Sequence, residues 1–89
     1  MHEFEIKPEL YKKLAKLSKK DKRMYEAVMK KIEEVINSEE IEHYKNLRYD
    51  LKDYKRVHIG HFVLVFGYDK AKEFISFKDF DHHDNIYGH

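Results

Sequence analysis

The sequence predicts an α+β domain: an N-terminal strand, then an antiparallel helical hairpin packed on one face of a sheet. Three observations predict it. The chain opens on a short alternating segment. Two amphipathic helical patterns follow, separated by a break too short to hold a strand. Three apolar, β-rich runs then crowd the second half, and their spacing makes an antiparallel meander. The order β-α-α-β-β-β is that of helices segregated to one face of a mostly antiparallel sheet. At 89 residues the chain is one small domain, spanning 1–89.

His2 to Lys7 alternates, with Phe4 and Ile6 on one side and Glu3, Glu5 and Lys7 on the other, which is the pattern of a half-buried strand. Pro8 then starts a helix, because a proline in the first turn removes no hydrogen bond. Leu10, Leu14 and Leu17 follow at helical spacing. Ser18 to Asp21 reads as a polar break, with Asp21 placed to cap the second helix. That helix carries Met24, Val28, Ile32, Val35 and Ile36 in one stripe and ends at Asn37 and Ser38. Residues 39–51 are irregular, anchored by Ile41, Leu47 and Leu51. Lys52 to Ile59 and His61 to Tyr68 read as strands meeting at Gly60. The second is nearly all apolar and is expected to be a central strand buried on both faces. Asp69 to Lys72 is a turn, Glu73 to Phe80 the last strand, and Asp81 to His89 a polar tail ordered only through Ile86 and Tyr87.

There is no cysteine, which excludes a disulfide framework and cysteine-ligated metal and fits a reducing cytoplasm. No signal peptide is visible. No apolar run nears the ~20 residues that span a bilayer, so no membrane partner is expected. Net charge is +1, but unevenly spread. Lys45, Arg48, Lys52, Lys55 and Arg56, with His43, His58 and His61, face only Asp50 and Asp53 between residues 43 and 61. A local basic segment in a neutral chain implies a local phosphate contact rather than a broad nucleic-acid-binding face.

Seven histidines are present. His2 and His89 are terminal and are set aside, and His43 lies in a loop. Alternation puts Arg56 and His58 on one face of their strand and Val57 and Ile59 on the other. If Val57 and Ile59 face the helices, Arg56 and His58 face away. A meander brings the end of its last strand beside the middle strand, so His58, His61, His83 and Tyr87 are expected to converge. Histidine exchanges protons near neutral pH. Cleavage of RNA by its own 2′-OH needs a base, an acid and cations on the phosphorane; two histidines, an arginine and a tyrosine suffice. Tyr87 could also stack a base. The same residues admit other readings. His58-x-x-His61 with Asp81, His82, His83 and Asp84 offers nitrogen and oxygen ligands, though not at helical ligand spacing. They also read as surface histidines of an interaction domain.

From Leu47 to Gly88 the spacing L-x3-L-x2-Y-K-R-V-H-I-G, then H-F-V-L-V-F, then H-x3-Y-G resembles the RelE/ParE toxin superfamily. The element order agrees along the whole chain, and the histidines make it most similar to the YafQ branch. The resemblance implies a type II toxin of RelE type: a ribosome-dependent mRNA endoribonuclease with no metal or other cofactor. Its partners would be the ribosome, mRNA and a RelB-like antitoxin in a toxin–antitoxin hetero-oligomer.

By that resemblance His83 is the proton-transfer histidine of the tail and Tyr87 the terminal aromatic. His58 matches the strand histidine before the turn. His61 falls where the branch has an acid, and Phe62 where it has an aromatic. Lys52, Lys55 and Arg56 match RNA-facing basic residues. Lys45 lies near a further site histidine, and Arg48 and His82 join the expected RNA-binding set. Two positions depart: Val63 and His83 stand where many relatives carry arginine, so the transition-state cation falls to Arg56, Arg48 or a protonated histidine. A ParE-like gyrase-inhibiting module that cuts nothing, or a silent antitoxin-binding domain, are the alternative readings.

Overall fold

The structure is a computed structural model that describes residues 1–47 and 53–87. Strand β1 (Glu3–Ile6) leads into helices α1 (Pro8–Lys20) and α2 (Lys22–Ile36). A single 3-10 turn, Ile41–His43, precedes strands β2 (Lys55–Ile59), β3 (Phe62–Asp69) and β4 (Phe74–His82) and a short helix α3 (His83–Tyr87). The α+β fold is as expected.

Asp21 alone separates the two long helices. Its carboxylate accepts from the Met24 N–H at 3.1 Å, so it caps α2. The expected polar break from Ser18 is therefore too long. Ser18 stays in α1 because its hydroxyl donates to the Ala15 carbonyl at 2.7 Å, satisfying itself on the preceding turn.

The sheet order is β1-β4-β3-β2. Strands β2, β3 and β4 form the antiparallel meander, and β1 pairs parallel with β4, from Glu3 opposite Phe74 to Ile6 opposite Phe77. A parallel pair needs a long crossover, and the intervening chain, both long helices included, supplies it. The sheet face under the helices holds the main core: Leu10, Leu14, Val28, Ile32, Val35, Leu64, Phe66, Ile75, Phe77 and Phe80. Val57 and Ile59 pack against it, so Arg56 and His58 face the other way. Val63 to Phe66 are buried at every position, as expected for a central strand.

One irregularity sets what β4 presents. Val65 pairs with Asp79 and Phe66 with Phe77, leaving Lys78 extra. This bulge resets the alternation. Phe77 and Phe80 both enter the core although they are three residues apart, and Asp79 and Asp81 are left with the opposite face.

Other boundaries differ from expectation. The strand expected from Lys52 begins at Lys55, after a turn at Asp53 and Tyr54; Lys52 itself lies outside the described residues. Strand β4 runs two residues beyond Phe80, because β3 continues to pair with it through Val63–Asp81 and Phe62–His82. His2 is structural: its backbone N–H donates to the Ile36 carbonyl at 2.8 Å, its Nδ1 lies 3.2 Å from the same oxygen, and its ring meets Tyr68 edge-on. It thereby engages an end carbonyl that α2 cannot satisfy itself.

Phe66 is fully buried between the helices and the sheet. In urea denaturation Phe66→Ala is expected to cost about 3–5 kcal/mol. Asp21→Ala, which removes only a cap, is expected to cost about 1 kcal/mol.

Candidate active site

The site is built on the sheet face away from the helices. Val63 and Val65 of β3, with Leu47, make a second apolar cluster there, and Tyr54, Ile86 and Tyr87 pack against it. Helix α3 lies over this cluster. Its sequence HDNIY has Ile86 and Tyr87 three and four residues after His83, the spacing of one helical face. That spacing was the available sign that the tail is helical; the surrounding polar residues hid it.

His83 opens α3, and its N–H donates to the His61 carbonyl at 2.8 Å, continuing the sheet ladder into the helix. The His83 ring stacks on His58 of β2, with centroids 5.8 Å apart and planes 25° apart. It also packs on the Tyr87 ring at 4.6 Å. Arg56 completes the group: its guanidinium sits 5.8 Å from the Tyr87 centroid, and its Nη1 lies 3.3 Å from His58 Nδ1. Arg56 Nε and the Tyr87 hydroxyl oxygen are buried with no hydrogen-bond partner among the described residues. Desolvated donors of this kind carry unmet hydrogen-bonding capacity.

Partial burial pushes the His58 pKa below the ordinary histidine value; the charge of Arg56, then His83, then Lys45, pushes it the same way. His58 is therefore the neutral, proton-accepting form at neutral pH.

The expected residues divide. His58, His83, Tyr87 and Arg56 come together, with Lys45 close enough to act on His58. His61 meets this group only through its carbonyl, which accepts from the His83 N–H; its ring stacks on His82 at 6.2 Å. Phe62 stacks on Phe80 at 5.1 Å and meets His82 edge-on, on the helix-covered side. His82 accepts from the Asp84 N–H through Nδ1 at 3.2 Å, which places it as a cap of α3. Lys55 donates to the carbonyls of Glu42 and Tyr44 and to Asn46 Oδ1, so it ties the preceding loop to β2. Arg48 and Lys52 lie outside the described residues. Among the described residues no group of three or more His, Asp or Glu is placed to hold a metal ion, and no helix is long and apolar enough to cross a membrane.

No protein-family model matches the chain. A curated protein of Methanocaldococcus jannaschii named "Putative toxin RelE4" is 54% identical over 88 residues, covering 98% of this chain and 92% of its own. The chain belongs to the RelE toxin family. The fold agrees with solved members. YafQ from E. coli strain BL21(DE3) superposes with a TM-score of 0.74 at 16% identity, covering 99% of this chain and 100% of that one. The RelBE2 toxin–antitoxin complex from Mycobacterium tuberculosis gives 0.68 at 19% identity, covering 91% and 96%.

On this RelE-type scaffold, the departure at Val63 has a visible consequence. Val63 is fully buried beneath α3, so it floors the cluster and contributes no cation. Among the described residues, Arg56 brings its guanidinium to the group of the two stacked histidines.

The His58 titration tests this geometry directly. By NMR, the His58 pKa is expected below that of a free histidine. Arg56→Gln should raise it part of the way back, since partial burial remains. An unchanged value would place Arg56 outside contact with His58 in solution.

Proposed function

We propose that this chain is the toxin of a toxin–antitoxin pair and cleaves mRNA on the ribosome without a metal. The observation that carries the reading is the His58–His83 pair, 5.8 Å apart beside Arg56 and Tyr87 on one open face. Two imidazoles at that separation can flank one phosphodiester.

In this mechanism His58, held neutral, takes the proton of the 2′-OH. The 2′ oxygen attacks the adjacent phosphorus in line and the bond to the 5′ oxygen breaks. Protonated His83 delivers its proton to that departing oxygen. The products are a 2′,3′-cyclic phosphate and a 5′-OH end, so atoms and charge balance with no external cofactor. Arg56 faces the negative charge that accumulates on the phosphorane, where a fixed cation contributes most. Tyr87 positions the phosphate or stacks a base. His61, with His82, lies beside this centre and helps to shape its rim.

Dependence on the ribosome and the antitoxin partner rest on the RelE kinship. The Mycobacterium tuberculosis structure is a toxin–antitoxin complex. In this chain Phe4 on β1 and Tyr11 on α1 are 41% and 67% exposed. They are apolar surface that an antitoxin strand or amphipathic helix would cover.

Primer extension on a reporter mRNA in a cell-free translation system tests the reading. Cuts at in-frame codon positions are expected with the protein and should vanish with folded His83→Ala. His58→Ala should lower cleavage by about 10²–10⁴-fold, the usual contribution of a general base. No cuts from a folded protein in running translation would favour a gyrase-inhibiting or silent domain, which a supercoiling assay separates.

A further inference from the structure

We propose that Lys13, Asp81 and Asn85 form a positioning relay that holds α3, and with it His83 and Tyr87, over the end of the sheet. The functional part of this inference rests on the reading of His83 and Tyr87 as site residues; the structural part does not.

Helix α3 has five residues. Helices that short have no stability of their own in water, so contacts with the rest of the fold must impose this one. Several of them are local to the end of the sheet: the His83 N–H on the His61 carbonyl, the Asp84 N–H on His82, and the packing of Ile86 and Tyr87. One is not local. The Asn85 amide donates to Asp81 Oδ1 at 2.9 Å, while Asp81 Oδ2 accepts from the Lys13 ammonium at 3.2 Å. One carboxylate thus joins α3 to α1, a helix on the other side of the sheet.

The place where Lys13 arrives explains why the link exists. Strand β1 pairs with β4 only as far as Phe77, so among the described residues no strand neighbours that edge of β4 beyond it. Lys13 fills that stretch. It donates to Asp79 Oδ1 at 2.7 Å, to the Phe80 carbonyl at 3.3 Å and to Asp81 Oδ2 at 3.2 Å. It satisfies an open edge carbonyl and neutralises two carboxylates that strand alternation puts on one face, the bulge at Lys78 having set which face that is. Partial burial pulls the Lys13 pKa down, but the two carboxylates outweigh it and the net shift is upward. Asn85, then the His82 N–H and Lys13, hold the Asp81 carboxyl below its ordinary value. Both groups remain charged at neutral pH. Without the ammonium, Asp79 and Asp81 would repel, and Asp81 would be held only through Oδ1, by the His82 N–H at 2.7 Å and the Asn85 amide at 2.9 Å.

The side-chain hydrogen bonds of Lys13 and Asn85 go to Asp79, Phe80 and Asp81 rather than to His58 or His83, so they act through the placement of α3. The test uses Lys13→Met, which keeps the alkyl stem and removes the charge, Lys13→Arg and Asn85→Ala. In wild type, NMR should show NOEs between the His83 and Tyr87 rings and between His83 and His58. In Lys13→Met those NOEs are expected to weaken or vanish while circular dichroism stays that of the folded protein. Cleavage should fall by about 10- to 100-fold through kcat, as expected for a small misplacement of reacting groups, with KM for RNA little changed. Lys13→Arg should restore both readouts. If Lys13→Met does not fold, Asn85→Ala, at the exposed end of the relay, gives the same comparison. Intact NOEs in a folded variant would overturn the relay whatever the cleavage result. Lost NOEs with undiminished cleavage would leave the relay standing and remove His83 and Tyr87 from the chemistry.

Discussion

Burial of β3 on both faces is the constraint on which the rest of the molecule depends. One face carries Leu64 and Phe66 under the two long helices; the other carries Val63 and Val65 under Leu47, Ile86 and Tyr87. A strand sealed on one side only would leave an apolar patch at the centre of the sheet. The C-terminal segment seals it, and in doing so brings His83 and Tyr87 across to His58 and Arg56. The candidate site is therefore assembled by the same contacts that complete the smaller core. Removing the cover would take His83 and Tyr87 away from His58 and Arg56.

The site's electrostatics follow from this placement. His58 and Arg56 share a face of β2 because they are two residues apart, and slight desolvation, then that guanidinium, lower the His58 pKa and favour its neutral form. A neutral imidazole and a fixed cation side by side are suited to accepting a proton next to a phosphate. The two histidine stacks occupy different places. His58 and His83 meet the arginine and tyrosine, whereas His61 and His82 mark the boundary where β4 gives way to α3. Lys55, which resembles a phosphate-facing residue by position, is turned to the carbonyls of the preceding loop. A basic residue near the site in sequence is thus not necessarily in it.

Much of the fold was legible because it is encoded by local periodicity. Leu10 and Leu14, and Val28, Ile32, Val35 and Ile36, repeat at helical spacing and are the residues the helices bury. Val57 and Ile59 alternate with Arg56 and His58, so the outward pair could be named from spacing alone. The approach of His83 to His58 was likewise expected from meander topology, within a convergence that also included His61 and Tyr87. The errors fell where local pattern and tertiary contact disagree. Ser18 is polar yet helical, since its hydroxyl bonds back to Ala15. His2 is near the terminus yet contacts the last carbonyl of α2. The His61 ring stacks on His82, while its carbonyl accepts from the His83 N–H.

By itself the sequence determined the element order, the apolar faces of the helices, the central strand and the outward direction of Arg56 and His58. These depend on side-chain period within one element. Tertiary structure alone decided the parallel pairing of β1 with β4, the bulge at Lys78, the stacking of His61 on His82, and the seating of α3 over the sheet. Each of those depends on contacts between residues far apart in the chain. A bulge changes which face Asp79 and Asp81 occupy without changing a single residue. A five-residue helix exists only because a sheet, a buried cluster and a lysine from α1 hold it in place.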